Sequence, residues 1–467
     1  MNKTETAGLF VFRRDLRLND NIGLYKASRM FDKVYTCFIF TPEQVTNSNK
    51  YKSNNAVLFM IDSLVELQED IQKLGGELIV LFGKQEEMID NLIDDLDIRG
   101  VFFNTDYTPY AVDRDNKIKT LCKTKNILCE SYNDYYLHEP GTILSEGSGE
   151  AYKKYTPFYN RALMLPVTPI QRMKLNNLVH TKKREIKNTI SLDNAYKRFT
   201  SENPEILVRG GRKNGVIKLK SALNTQNRYK ATRDFFSKST SHMSAYIKFG
   251  CISIREVYYG FANKYGKENQ LISELFWREF FVHVLYAYPE VVGKSYQEKY
   301  RALKWKNDKK QIDVWKSGNT GFPLVDAAMR EMNATGYMHN RGRMLTASFL
   351  IKTLLVDWRI GEKYFAENLT DYDIASNNGN WQGISGTGVD MKPYFRDMNP
   401  WIQSSKFDPD AEYIKKWVPE LKHVLAKDIH KWNEKYNDED YKTVKYKKPI
   451  VDYYKQKELM LSMYKNA

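Results

Sequence analysis

The sequence predicts an α/β domain built on a parallel sheet, followed by a mainly α-helical domain. Three observations predict it. Strand and helix patterns alternate through residue 135. Past residue 205 the strand patterns fade and apolar residues recur at helical spacing. All eight tryptophans lie at or after Trp277, which implies that the two halves do different work. The chain has 467 residues, beyond the roughly 100–200 of one ordinary domain.

The elements follow in order. GLFVFRR (8–14) is an apolar run of strand length, and a helical pattern runs from Asn21 to Arg29. KVYTCFIF (33–40) is a second strand, and residues 56–74 repeat apolar side chains at helical spacing. GELIVLFG (76–83), a helix over 86–98 and GVFFN (100–104) complete the alternation. Strand–helix–strand repetition of this kind builds a parallel sheet with helices on its faces. Residues 1–135 are therefore expected to form the α/β domain. Residues 136–205, with Gly, Pro and Ser in 139–149 and a basic stretch at 182–187, are expected to form a connector. Residues 206–467 are expected to form the helical domain, with helices over 244–262, 271–287, 323–335, 340–356 and 361–367. The tail past 435 is rich in Lys and Tyr and is expected to be a short solvated or helical end.

Composition narrows the function. Lys and Arg number 72 against 57 Asp and Glu, a net charge of +15. Such a surplus favours an anionic partner, nucleic acid foremost. There is no run of 18 apolar residues and no signal-peptide core at the start, so no membrane span or secretion is expected. The four cysteines are sparse and form no C-x-x-C, which argues against a disulfide scaffold or a metal site and for a reducing intracellular compartment, cytoplasm or nucleus. Neither a phosphate-binding P-loop nor a G-x-G-x-x-G fingerprint is present.

Several constellations carry chemistry. Residues 206–238 hold nine Lys/Arg and one acid, with Tyr229, Phe235 and Phe236 among them. That mixture is a solvated basic surface or a track for a phosphate backbone with ring faces beside it. Thr240-Ser241-His242-Met243-Ser244 precedes a helical pattern, either as a plain N-cap or as a pyrophosphate seat. In 271–287, Glu274, Trp277, Arg278 and Phe281 share one helix face, which suits a flat polar ligand or a core Trp with a surface ion pair. His339, Asn340, Arg341 and Arg343 cluster where a helix begins, an unfavourable place for arginines unless an acid or anion answers them. Asp371 is the obvious partner, and Asp373 and the loop ASNNGNWQGISGTG (375–388) follow it.

Taken together and in this order, these residues resemble the photolyase/cryptochrome family, most closely its class I cyclobutane pyrimidine dimer photolyases. FVFRRDLRLNDN (10–21), TSHMSAYIKFGCIS (240–253), SELFWREFF (273–281), GFPLVDAAMREMNATGYMHNRGRMLTASFL (321–350) and DWRIGEKYFAENLTDYDIASNNGNWQ (357–382) carry the resemblance. It implies a Rossmann-like N-terminal domain that can hold an antenna chromophore, and a helical domain that holds FAD and binds UV-damaged DNA as a monomer. By matching motif positions, Tyr229 and Thr240, Ser241, His242, Met243 and Ser244 contact FAD. Arg343 and Asp371 form a pair beside its ring, Asp373 lies near the ribose or ring edge, and Asn377 faces the flavin. Trp381, Trp358 and Trp305 match an electron relay. Glu274 is implied to hydrogen-bond the flipped pyrimidines and Trp277 to stack on them. Arg233, Arg278, Asn340, Arg341, Gln403 and Lys406 fall at positions near the DNA. The implied activity is that of a carbon–carbon lyase, in which reduced, photoexcited flavin lends an electron to the dimer and takes it back after the ring splits.

The chain departs from the class I pattern in two places. Gly383 stands where those enzymes carry a second lesion-contacting tryptophan, so that either a neighbouring aromatic such as Trp401 fills the gap or lesion binding is weaker. Pro109-Tyr110 replaces an Asn-Glu pair that contacts folate in some relatives, which leaves a deazaflavin, another chromophore or no antenna. His339-Asn340 stands where enzymes acting on the pyrimidine–pyrimidone photoproduct carry paired histidines, so the cyclobutane dimer is the implied lesion. The alternatives are a cryptochrome-like flavin photoreceptor without repair, or a photolyase of altered lesion specificity.

Overall fold

A computed structural model describes residues 5–181, 185–390 and 393–467. Of the basic stretch at 182–187, residues 182–184 lie outside the described residues. The chain divides into two compact units.

The first comprises Met1–Glu202, Val208–Asn227 and Ser241–Pro289. Its centre is a five-stranded sheet of β1 (Ala7–Phe12), β2 (Lys33–Phe40), β3 (Leu78–Phe82), β4 (Ile98–Asn104) and β5 (Leu128–Tyr132). All neighbours pair in parallel in the order β3-β2-β1-β4-β5. The four expected strands are present. β5 was not legible, because its sequence, LCESY, is an edge strand with no buried residue, so its polarity hides the pattern. Helices Ile22–Met30, Asn54–Lys73 and Pro109–Thr124 start at Asn21, Ser53 and Thr108, whose side chains accept backbone N–H bonds. Helix Gln85–Leu96 lays Met88, Ile89, Leu92 and Ile93 against Leu9, Val11, Ile39 and Val101 of the sheet.

The same unit contains helices Tyr155–Met164, Arg212–Thr225, Ser244–Lys248, Ile254–Tyr265 and Gln270–Ala287. The single helix expected over 244–262 is two. The break falls at Gly250, whose φ of +65° is left-handed and whose Cβ would meet the Arg14 carbonyl at 2.2 Å. Leu16 N–H donates to the Phe249 carbonyl there (3.1 Å), so the chain gives up helix to pack against the loop after β1. The second helix restarts with a capping box between Ser253 and Glu256.

The second unit comprises Asn203–Leu207, Arg228–Thr240 and Glu290–Ala467 and is helical. Pro323–Thr335, Asn340–Ser348, Trp358–Asn368, Ile374–Ser385 and Pro400–Phe407 form its body. The helix expected over 340–356 passes into a π-helical turn at Phe349–Thr353 and stops at Leu355, whose φ is +58°. Trp315, Trp358, Trp381, Trp401 and Trp432 lie in one apolar cluster, so the tryptophan bias of the second half is largely that of a core. The tail ends in helix Tyr453–Lys465, whose buried Met460 and Tyr464 pack with Tyr300 and Leu303. No helix among the described residues is long and apolar enough to cross a membrane. All four cysteines are free, and no metal-holding cluster occurs among the described residues.

Candidate functional site

Within the helical unit, Asn340, Arg343, Asp371, Asp373, Asn377 and Trp381 line one cavity that opens to solvent. Two helices and the turn that leads into the second bring these residues together. Arg343 sits in the first turn of Asn340–Ser348, and Asp371 and Asp373 end the turn before Ile374–Ser385. The Arg343 guanidinium donates to both carboxylate oxygens of Asp371, at 3.1 and 2.9 Å, and to the Met338 carbonyl at 2.9 Å. This bidentate pair answers the arginine placed against the helix dipole. Asp373 is the N-cap of Ile374–Ser385 and accepts from the Ser376 N–H. One N–H of the Asn377 amide is spent on the Glu362 carbonyl (3.0 Å), which fixes the side chain's orientation.

Trp381 forms part of the cavity wall, and the other two relay candidates connect to it through short links. Its ring packs edge-on against Phe365 (4.9 Å between centroids) and against the backbone at Gly361. Gly361 lies one turn after Trp358 on the same helix. Trp358 is 2% exposed and its indole N–H reaches Ser295 Oγ at 3.4 Å. Asp357 N–H donates to Asn307 Oδ1 (2.9 Å), which ties the residue before Trp358 to the segment that carries Trp305. Trp305 is half-buried and contacts Tyr464.

Arg233, Asn340, Arg341, Gln403 and Lys406 also converge. Arg341 pairs with Asp234 at 2.7 Å, donates to Gln403 Oε1 at 2.9 Å and stacks on Phe407 at 3.8 Å. That hub joins the end of the short helix Tyr229–Thr232, the start of Asn340–Ser348 and helix Pro400–Phe407. Asn340 and Lys406 are exposed on it, Arg233 and Gln403 are half-buried, and Ile402 is 58% exposed beside them. Trp401 does not fill the space at Gly383. It is buried and stacks on Phe322 (4.8 Å), while a Cβ at Gly383 would meet nothing within 4 Å.

In the first unit, Glu274 and Trp277 share a face of Gln270–Ala287 and are both half-buried. Gln270 donates to Glu274 Oε1 at 2.9 Å. Arg278 turns elsewhere: it donates to the Tyr135 carbonyl (2.8 Å) and lies over the Tyr136 ring (4.3 Å). Ser241, His242, Met243 and Ser244 run into Ser244–Lys248. The N-cap position is Met243, which offers no side-chain cap, and His242 holds a left-handed φ of +50°. In the helical unit, Thr240 bonds the Tyr337 hydroxyl at 3.1 Å, and Tyr229 is half-buried at the start of Tyr229–Thr232.

Three features were not foreseen. Strand order reverses between β1 and β4, and clefts at such points are ligand sites in parallel sheets. Just beyond their C-terminal ends, Arg13 pairs with Asp115 (2.8 Å) and Arg114 joins it (2.9 Å). Arg13 Nε, Arg114 Nη2 and Asp115 Oδ2 are buried there with no protein partner among the described residues. Second, Glu279 is fully buried and accepts from the N–H groups of Leu137 and His138, and burial pushes its carboxyl up to about 7. Third, Glu362 lies beneath Asn377 and accepts from Asn378 (3.3 Å), with its carboxyl likewise pushed up to about 7 by burial. The charged residues in RRD and DRD were the one available signal for the first. Buried acids on helices leave none.

Comparison with known proteins places the chain in a family. Residues 9–174 match the family model described as DNA photolyase, and residues 271–466 match that of the FAD binding domain of DNA photolyase. The deoxyribodipyrimidine photo-lyase of Halobacterium salinarum is 34% identical over 98% of this chain and 99% of its own length. That of Escherichia coli is 32% identical over 99% of each. Among solved structures, a Sulfolobus tokodaii archaeal photolyase that holds two FAD molecules is 39% identical, with a TM-score of 0.88 over 99% of this chain and 100% of the other. A class III photolyase from Agrobacterium tumefaciens is 32% identical, with a TM-score of 0.91 over 100% of this chain and 98% of the other. With a family model on each half and identities above 30% along almost the whole length, the chain belongs to the DNA photolyase family.

Proposed function

We propose that this protein binds FAD and repairs cyclobutane pyrimidine dimers in UV-damaged DNA under light. The observation that carries the reading is the cavity in which the Arg343–Asp371 pair, the Asn377 amide and the Trp381 ring meet. These residues fit a flat, polar, redox-active ring: a delocalised cation balanced by its own carboxylate, an oriented amide, and an oxidisable indole in the wall. Bound FAD supplies the light absorption and the electron that is lent to the dimer and returned after the ring splits. Arg343 and Asp371 orient the ring, Asn377 addresses its edge, and Thr240–Ser244 with Tyr229 hold the rest of the dinucleotide. Trp381, Trp358 and Trp305 pass electrons inward to return the protein to its active reduced form.

The flipped pyrimidines hydrogen-bond to Glu274 and stack on Trp277. Arg233, Asn340, Gln403 and Lys406 meet the DNA, and Arg341, committed to Asp234 and Gln403, braces that face. Arg278 supports Glu274 and Trp277 from behind through Tyr135 and Tyr136. The functional division we propose is an antenna-binding part over 1–135, a connector over 136–205 and a flavin- and DNA-binding part over 206–467. The protein works as a monomer in a reducing compartment, in keeping with its four free cysteines.

The polar cluster at Arg13, Arg114 and Asp115, with its unsatisfied buried atoms, supports a second, antenna chromophore. Its two cations and one carboxylate suit a polar heteroaromatic ring such as a deazaflavin or a second flavin.

The test is incubation with a defined thymine-dimer oligonucleotide, light against dark, with product analysis. Restored thymines in light alone support repair. A yellow, photoreducible protein that leaves the dimer intact overturns it in favour of a photoreceptor.

A further inference from the structure

Residues 136–205 read as a connector, yet they supply the closest aromatic contact to Trp277. Tyr155, the first residue of helix Tyr155–Met164, lies nearly parallel to the indole, with ring centroids 3.6 Å apart and an interplanar angle of 7°. Tyr159 stacks on Tyr155 at 5.5 Å and 16°, and Phe280 meets it edge-on at 5.9 Å. The Tyr155 hydroxyl donates to the Ser273 carbonyl at 2.7 Å and lies 2.8 Å from Ser273 Oγ. A phenol has one proton, so the serine hydroxyl donates back. Tyr155 is 8% exposed, whereas Trp277 keeps part of its ring open. One face of the indole is therefore covered by a ring that two hydrogen bonds fasten to the turn bearing Glu274.

We infer that Tyr155 is a positioning residue for the lesion. It backs Trp277, holds the indole in one orientation and leaves a single face for the damaged bases. A platform fixed beforehand loses less side-chain freedom on binding, so the contribution appears in affinity for the lesion. It does not appear in the electron-transfer step. Displacement of Tyr155 by the lesion would break both bonds to Ser273 and unstack three rings. The inference rests on the reading of Trp277 as a lesion contact, and the experiment separates the two.

Lesion-containing and undamaged oligonucleotides are titrated against Tyr155→Leu, Tyr155→Phe and Trp277→Leu, with flavin content and thermal midpoint as folding controls. Tyr155→Leu is expected to weaken lesion binding about 5- to 20-fold, the scale of a lost stacking support. Binding of undamaged DNA and repair per photon at saturation stay unchanged. Tyr155→Phe keeps the ring and stays within about threefold of the parent. Should Tyr155→Leu not fold, Tyr155→Met, similar in bulk but without a flat face, carries the test. Unchanged or tighter lesion binding, or parallel loss for undamaged DNA, overturns the role of Tyr155 while Trp277→Leu still weakens lesion binding. If Trp277→Leu has no effect, the reading of Trp277 itself fails.

Discussion

The Trp381 ring rests directly on Gly361: its Cη2 carbon lies 2.1 Å from the position a Cβ there would take. Because Gly361 is one turn beyond Trp358, the missing side chain lets Trp381 lie on the helix that Trp358 begins. Gly361→Ala is expected to push Trp381 aside. The strain should cost about 1–3 kcal/mol and slow photoreduction under blue light with a thiol. Trp381→Phe, which keeps an aromatic ring but gives up part of the contact with Gly361, should slow photoreduction while repair by pre-reduced protein continues. Equal photoreduction rates in parent and Trp381→Phe would remove Trp381 from the relay.

Asp371→Asn leaves Arg343 half-buried without its countercharge. A loss of about 1–3 kcal/mol is expected, below the range for a fully buried pair because the guanidinium is partly solvated. Flavin retention should fall with it. The ratio of flavin absorbance to protein absorbance after gel filtration checks this, and a fully yellow Asp371→Asn protein would release the pair from its flavin role.

Glu274→Ala removes a half-buried carboxylate that Gln270 already orients. Repair yield is expected to fall more than lesion binding, since orientation of the bases matters to the step itself. Parallel loss of both would make Glu274 an ordinary binding contact.

The open space at Gly383 makes a prediction of opposite sign. Ala there meets nothing within 4 Å and replaces a helical glycine, so stability should rise by about 0.5–1 kcal/mol. Gly383→Trp adds a stacking surface, and lesion binding is expected to tighten by about 1–3 kcal/mol. Unaltered affinity in a folded Gly383→Trp protein would place Gly383 away from the lesion.

What the sequence revealed, and what it hid, follows from the reach of each signal. Buried parallel strands such as LFVF and LIVLF are apolar throughout and are legible, whereas β5, half-solvated at the edge, is not. The polar residues lining the cavity, and Trp381, fall in two short blocks, 340–343 and 371–381, and so are visible as motifs, whereas the apolar lining of Phe365 and Leu369 lies between them and carries no such signal. Tyr155, Glu279 and Glu362 gain their surroundings from distant segments. The partners of Glu279, Leu137 and His138, lie more than 140 residues away. No spacing rule brings such pairs together. The split of 244–262 is of the same kind, since Gly250 breaks the helix to meet Arg14.

Glu279 links that hidden network to pH. Burial is the largest influence on its carboxyl and raises it from 4.5 to about 7, against the opposing pull of Arg278 at 3.6 Å and of the Leu137 and His138 N–H groups. A folded-state value above the unfolded one means that the folded protein keeps a proton the unfolded chain releases. Stability from this group is therefore fully present below pH 4.5 and is lost as pH rises to about 7. His283, which accepts from the Gly141 N–H, has the opposite sign. Burial lowers it from 6.5 to about 3, so its contribution is present above pH 6.5 and fades as pH falls. Glu279→Gln cannot ionise and loses one of two acceptors, which adds an offset independent of pH. The variant's stability relative to the parent should therefore climb steadily between about pH 5 and pH 7 and then level off. Urea midpoints at half-unit intervals check this, and parallel curves for parent and variant across that range would mean that Glu279 does not titrate within it.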